Sequence, residues 1–175
     1  MTDLGKKLTQ PIVLTGFMGV GKSTVARHLA FLLKAKRVDL DRIIEENESR
    51  AIGDIIEQHG ESFFRELETS ALKIALDSKD IKIISLGGGT WTFDENRKII
   101  RDKKCLTIWL NAPFEHCWRN ISLSKNKRPL LGNKENARRL YEDRIKLYCL
   151  ADWHFVIQPD RNSLGVAKQI LEEIF

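Results

Sequence analysis

The sequence predicts an α/β fold in which a parallel sheet lies between layers of helices. Three observations lead to it: strand-sized apolar runs alternate with helical periodicity, a glycine-rich loop joins the first such run to the first helix, and no apolar run approaches a membrane span in length. A length of 175 residues suits one compact domain with a single core. The whole chain, 1–175, is therefore expected to fold as one unit without repeats or linkers.

The elements follow in order. Ile12, Val13 and Leu14 form a first strand, and Val25, Leu29 and Leu32 then fall at i, i+4 and i+7, one face of a helix. Arg37 to Leu40 reads as a second short strand ending at Asp41. Ile52, Ile55 and Ile56, closed by Gly60, predict a small helix, and Phe64, Leu67, Ala71 and Ile74 mark the next. Ile81 to Leu86 is a third strand running into Gly87, Gly88 and Gly89. Asp94 is read as the N-cap of a helix through about Asp102. Cys105 to Leu110 is a fourth strand, and Pro113 suits the first turn of the helix after it. Periodicity disappears from Ser122 to Glu135, a loop long enough to imply a function. A helix resumes through Tyr148, Trp153 to Ile157 gives a fifth strand, and Ser163 is read as the cap of a last helix carrying Val166, Ile170 and Ile174.

A net charge of +5 raises the question of nucleic acid. No Lys/Arg-rich block interleaves with aromatics, and acids such as Glu45, Glu46 and Glu48 break up the basic residues. The charge is read either as a solvated surface or as a cleft that collects anionic small molecules; no nucleic-acid or membrane partner is expected. Residues 1–10 lack an apolar stretch, so no leader is expected. Cys105, Cys117 and Cys149 are odd in number and widely spaced, which reads as reduced cytoplasmic thiols filling apolar gaps. The four histidines show no ligand spacing and, like the four tryptophans, are read as structural.

Gly16-Phe17-Met18-Gly19-Val20-Gly21-Lys22-Ser23 fits G-x-x-x-x-G-K-[ST], and it lies between a strand and an amphipathic helix, as that motif requires. The glycines let successive N–H groups curl around phosphate oxygens, and the helix start adds unpaired donors and a positive dipole end. Lys22 can reach the terminal phosphates, and the Ser23 hydroxyl can ligate Mg²⁺. The nucleotide set is then Gly16, Gly19, Val20, Gly21, Lys22, Ser23 and Thr24. The alternative is a tight strand–helix turn with an incidental lysine.

Asp39 and Asp41 flank Leu40, and on a strand, period-two alternation aims both carboxylates the same way. Two adjacent like charges need a cation or donors beside them, unless both are simply solvated on an edge strand. No apolar strand ends in the usual Walker B aspartate, which leaves Asp39, acting through water, as the magnesium partner. Gly87-Gly88-Gly89 is either a flexible strand exit or a place where a substrate lies against bare backbone.

The P-loop, the D-x-D, Gly60-Glu61 leading to Phe64-Arg65 and Glu68, and Ser85-x-Gly-Gly-Gly together resemble the shikimate kinase family. Arg128-Pro129-Leu130-Leu131 and Arg144 with Leu147-Tyr148 extend the resemblance over most of the chain. It implies a nucleoside-monophosphate-kinase-like, three-layer α/β/α sandwich with a five-stranded parallel sheet, a substrate-binding region at about 39–69 and a mobile lid at about 122–133. It implies transfer of phosphate from ATP to the 3-hydroxyl of shikimate on the route to chorismate, by a cytoplasmic monomer. Asp41 would hold the shikimate hydroxyls, Arg65 and Arg144 its carboxylate, and the Gly87–Gly89 backbone the ring, with Gly88 donating an N–H. Arg128 would be the lid arginine at the phosphates, and Arg119 is a candidate for stacking on adenine.

Arg65 and Arg144 each have another reading as surface ion pairs, with Glu61 or Glu68 and with Asp143. Two departures from the family stand out: Ser49 and Arg50 replace a glycine before the small helix, and Lys146 replaces a proline between Arg144 and Leu147. A gluconate-type kinase would share the P-loop without pairing D-x-D with the triple glycine and Arg65. A nucleotide-binding regulator would bind ATP and transfer nothing.

Overall fold

The structure, a computed structural model, describes residues 8–124, 132–158 and 161–175. Five strands, β1 (Ile12–Thr15), β2 (Lys36–Asp39), β3 (Ile81–Ser85), β4 (Leu106–Asn111) and β5 (Trp153–Val156), form one all-parallel sheet in the order β2-β3-β1-β4-β5. The three central strands are nearly continuous runs of Ile, Val and Leu, as strands covered on both faces must be. The edge strands are the more exposed pair. Among the described residues seven helices flank the sheet: α1 (Lys22–Leu33), α2 (Leu40–Glu48), α3 (Ile52–Asp77), α4 (Asp94–Asp102), α5 (Phe114–Leu123), α6 (Lys134–Tyr148) and α7 (Ser163–Ile174). None of them is long and apolar enough to cross a membrane.

The connection from β1 leaves toward β2, whereas that from the neighbouring β4 leaves toward β5. Diverging connections open a crevice at the carboxyl edge of a parallel sheet, where such folds bind their ligands. The phosphate loop follows β1, the D-x-D follows β2 and the triple glycine follows β3, so all three arrive at this edge.

Three local expectations change. The second strand stops at Asp39, and Leu40 opens α2, a helix absent from the sequence reading; the Asp39 carboxylate accepts from the Arg42 N–H at 3.4 Å and caps it. Asp94 is the first helical residue of α4, whose N-cap, Phe93, makes no side-chain capping bond. Asn162, one residue before Ser163, caps α7 by accepting from the Gly165 N–H at 2.8 Å. The two helices expected to meet at Gly60 do so as the halves of α3, kinked there by a φ of 86°. Cys105 and Cys117 fill buried gaps, and burial pushes both thiols up to about 11. Cys149 does not fit the expectation: it is exposed.

Ser49, at the position where the resemblance leads one to expect glycine, adopts the left-handed φ of 51° that ends α2. That conformation costs a residue with a Cβ roughly 1–2 kcal/mol, against about 0.5–1 kcal/mol of extra chain entropy lost by glycine. Ser49→Gly is expected to raise the melting temperature by about 2 °C with activity unchanged. A lower melting temperature in a thermal scan would show that the serine hydroxyl compensates locally.

Candidate active site

Gly21 stands at the N-cap of α1 with a φ of 100° and, having no side chain, makes no side-chain capping bond to its first turn. Lys22 follows. Its side chain is buried, and its ammonium donates to the Gly16 carbonyl at 2.8 Å and the Phe17 carbonyl at 3.1 Å, so the cation is held inside the curl of the loop. Val20 packs its side chain into the core, which leaves its backbone N–H as the group that could meet a phosphate.

The Ser23 hydroxyl donates to the Asp39 carboxylate, joining the start of α1 to the end of β2. The helix at Leu40 alters the geometry expected of the D-x-D. The two carboxylates do not project together from a strand; Asp39 turns to Ser23, and Asp41, in the first turn of α2, turns to the triple glycine. They are divided between two tasks. Ser23 and Asp39 offer hard oxygen donors, the kind Mg²⁺ takes, and too few of them to form a cage without phosphates and water. Among the described residues no group of three His, Cys, Asp or Glu side chains could hold a metal by itself.

At Gly87 and Gly89 of the triple glycine, charged and polar side chains occupy the space a Cβ would take. A Cβ on Gly87 would lie 2.5 Å from an Asp41 carboxylate oxygen, 2.7 Å from one of Glu68 and 3.0 Å from the Thr90 hydroxyl. A Cβ on Gly89 would lie 2.5 Å from Arg65 Nη1. One on Gly88 would meet Arg144 Nη1 and the Met18 N–H of the phosphate loop, each at 3.4 Å. Asp41 from α2, Arg65 from α3 and Arg144 from α6 thus converge on three bare peptides beside the phosphate loop.

The structure gives Arg65 the ion pairs its sequence neighbours offer. It pairs with Glu68, donates to Glu61 at 2.7 and 3.2 Å, and still abuts Gly89. Its burial would pull the guanidinium down, but the charges and hydrogen bonds of Glu68 and Glu61 outweigh this and hold it above its ordinary value. Phe64 and Phe93 lie 5.2 and 5.3 Å from its guanidinium carbon. Arg144 behaves differently. Its expected surface partner, Asp143, pairs instead with Lys146 at 3.6 Å, and Arg144 is buried with the Phe17 ring 6.0 Å away. Among the described residues, its Nη1 and the hydroxyls of Thr15 and Ser85, at the ends of β1 and β3, are buried side-chain polar atoms without a hydrogen-bond partner. Buried donors are rarely left unpaired, so a cationic donor aimed at Gly88 fits an anion there.

Sequence reasoning named Glu68 and Tyr148 without giving either a role at the site, and did not single out Thr90. Glu68 is 1% exposed and accepts from the Thr90 hydroxyl at 2.6 Å while pairing with Arg65, so it fixes the guanidinium from behind. The Tyr148 hydroxyl donates to the Gly88 carbonyl at 2.5 Å, holding the middle glycine, and burial raises its phenol above the ordinary value. The signal for both was present, since Glu68 stands three residues after Arg65 and Tyr148 four after Arg144. Arg119 is exposed on α5, one residue before a side chain that touches the phosphate loop. Arg128, with residues 125–131 and so most of the expected lid, lies outside the described residues; at the lid's ends Ser122 and Leu123 complete α5 and Asn133 caps α6.

The model of the family described as shikimate kinase matches residues 18–175 of this chain. Shikimate kinase from Lactococcus lactis subsp. cremoris (strain MG1363) is 38% identical over 163 residues, 93% of this chain and 96% of that protein. The one from Persephonella marina (strain DSM 14350 / EX-H1) is 39% identical over 142 residues, covering 81% and 85%. Among solved structures, shikimate kinase from Acinetobacter baumannii in complex with shikimate superposes with a TM-score of 0.86 at 34% identity, over 95% of this chain and 94% of that one.

Proposed function

The chain belongs to the shikimate kinase family, and we propose that the residues described above carry that family's reaction, ATP-dependent phosphorylation of the 3-hydroxyl of shikimate to shikimate 3-phosphate and ADP in aromatic amino acid biosynthesis. The observation that supports this assignment of residues is the convergence of Asp41, Arg65 and Arg144 on Gly87–Gly89 beside the phosphate loop. The experiment is ADP release with ATP and Mg²⁺, shikimate against gluconate as acceptor. Turnover with gluconate alone, or nucleotide binding without transfer to either, would overturn the reading.

In the arrangement we propose, the N–H groups of Gly19 to Thr24 cradle the phosphates, and Lys22 leaves its two loop carbonyls for the terminal phosphate oxygens. Ser23 and Asp39 are the residues that would hold Mg²⁺, Asp39 through water; bound there, the ion adds positive charge at the β- and γ-phosphates. Arg65 and Arg144 fork the shikimate carboxylate from two helices, which fixes the ring in one orientation. The Gly88 N–H and Asp41 take its hydroxyls, and Asp41 orients the 3-hydroxyl and accepts its proton. Rate enhancement then comes mostly from positioning and from charge already in place.

Arg128 is assigned from the family resemblance to the transferring phosphoryl group, and residues 122–133 around it to the lid. Arg128→Ala is expected to lower kcat strongly while shikimate affinity holds; a change in shikimate affinity alone would move the arginine to the acceptor site. Arg119 remains the proposed adenine contact. We further propose a monomer in the cytoplasm with no nucleic-acid or membrane partner, which light scattering on the purified protein tests for its oligomeric part.

Asp41→Asn keeps the shape of the side chain and removes its charge. Activity is expected to fall by roughly 10²–10⁴-fold, the range for a lost acid–base group, while ATP affinity stays near wild type. Separate titrations of nucleotide and shikimate check this. A selective loss of ATP affinity would place Asp41 with Ser23 and Asp39 at the metal.

A further inference from the structure

We propose that Asn120 is a positioning residue of the phosphate loop, a latch thrown from α5 across the crevice between β1 and β4 that sets the loop in its nucleotide-binding shape. The loop lies directly against α5 at one point. A Cβ on Gly19 would sit 2.5 Å from the Cys117 carbonyl oxygen and 2.9 Å from an Ile121 side-chain carbon, so glycine is what allows the contact. At that point the Asn120 side-chain amide donates to the Gly19 carbonyl at 2.7 Å.

The consequence follows from peptide planarity. The Gly19 oxygen and the Val20 N–H belong to one rigid unit and point opposite ways. Holding the oxygen toward α5 turns the Val20 N–H into the loop, where it now meets the Phe17 carbonyl at 3.3 Å, the same oxygen that accepts from Lys22. One side chain therefore orients the Val20 N–H, which the phosphate-loop reading assigns to a phosphate, without touching the nucleotide. Its amide is itself held in the correct sense. Gly19 offers only an acceptor, so the amide nitrogen must face it, and the same nitrogen lies 3.2 Å from His116 Nε2, one helical turn earlier. That requires Nε2 to accept, hence a neutral imidazole. Burial first, and then the charge of Arg119, hold His116 below its ordinary value and favour that form. A flipped amide would set its oxygen against the Gly19 oxygen.

The inference rests on the phosphate-loop reading, and the test separates the two. Asn120→Asp is isosteric but cannot donate; Asn120→Ala removes the side chain without adding charge. KM for ATP, KM for shikimate, kcat, the ADP dissociation constant by calorimetry and the melting temperature are measured on both variants and wild type. Both variants are expected to raise the ATP KM and the ADP dissociation constant roughly five- to fiftyfold, with shikimate KM and melting temperature close to wild type. If Asn120→Ala binds ADP as wild type does, any loss in Asn120→Asp is charge repulsion and the latch is wrong. If both KM values and the melting temperature shift together, Asn120 is only a packing residue and the latch is equally wrong. If the wild type binds no ADP, the phosphate-loop reading itself fails.

Discussion

Lys22→Met is expected to give a folded protein whose phosphoryl transfer has fallen by at least roughly 10²–10³-fold, the cost of removing one preorganised electrostatic contact to the transition state. Methionine approximates the length of the lysine stem and suits the buried position, so the packing around α1 survives. What disappears is the ammonium. Two carbonyls, Gly16 and Phe17, hold it within the loop, and those oxygens stand where a cation must wait if it is to move onto a terminal phosphate. Losing the bonds to them costs stability, because Gly16 and Phe17 are buried, although the Phe17 carbonyl keeps the Val20 N–H; the melting temperature should drop, while a normal far-ultraviolet spectrum and cooperative melting persist. Turnover near the wild-type rate would show that the charge is not at the transferring group.

How much of this was legible in the sequence differs residue by residue. The five strands and the phosphate loop were, because each depends on contiguous residues: an apolar run both faces of which are covered, then glycines and a lysine at fixed spacing. Helix α2 was not. Positions i and i+2 of the D-x-D fit a strand end as well as a helix start, and only the capping of Leu40–Glu48 by Asp39 decides between them. The correct sorting of the two acids therefore needed three dimensions. The importance of Gly87–Gly89 was visible as composition, but its cause, the crowding of Asp41, Glu68, Arg65 and Arg144 around the missing side chains, belongs to four elements at once. The contact between Asn120 and Gly19 spans 101 residues, and no local pattern announces it. Glu68 shows a different failure. It was named among the residues of the family resemblance and as an ion-pair partner of Arg65, without a role of its own, whereas the fold sets that pair against Gly89.

The same pair separates the two arginines by experiment. Arg65→Ala strands Glu68, a carboxylate 1% exposed, with only the Thr90 hydroxyl left among the contacts described above. Leaving a buried charge without its partner costs up to about 3–5 kcal/mol, so this variant is expected to lose stability as well as shikimate. Arg144→Ala strands no carboxylate, because Asp143 pairs elsewhere; the group its guanidinium leaves behind is the Tyr148 hydroxyl, which keeps its bond to the Gly88 carbonyl. It should melt at a higher temperature than Arg65→Ala and yet bind shikimate as badly, weaker than wild type by about 2–5 kcal/mol, the usual cost of truncating one side of a desolvated charge pair. That is roughly thirtyfold to a few thousandfold in the dissociation constant. Nucleotide affinity should hold in both, since neither side chain reaches Lys22 or Ser23 in the contacts found. A shikimate analogue without the carboxylate completes the test: it should bind poorly to the wild type and lose almost nothing more in either variant. If the analogue binds the wild type as well as shikimate does, or if Arg144→Ala weakens ATP instead, the buried guanidinium at Gly88 is not a carboxylate clamp.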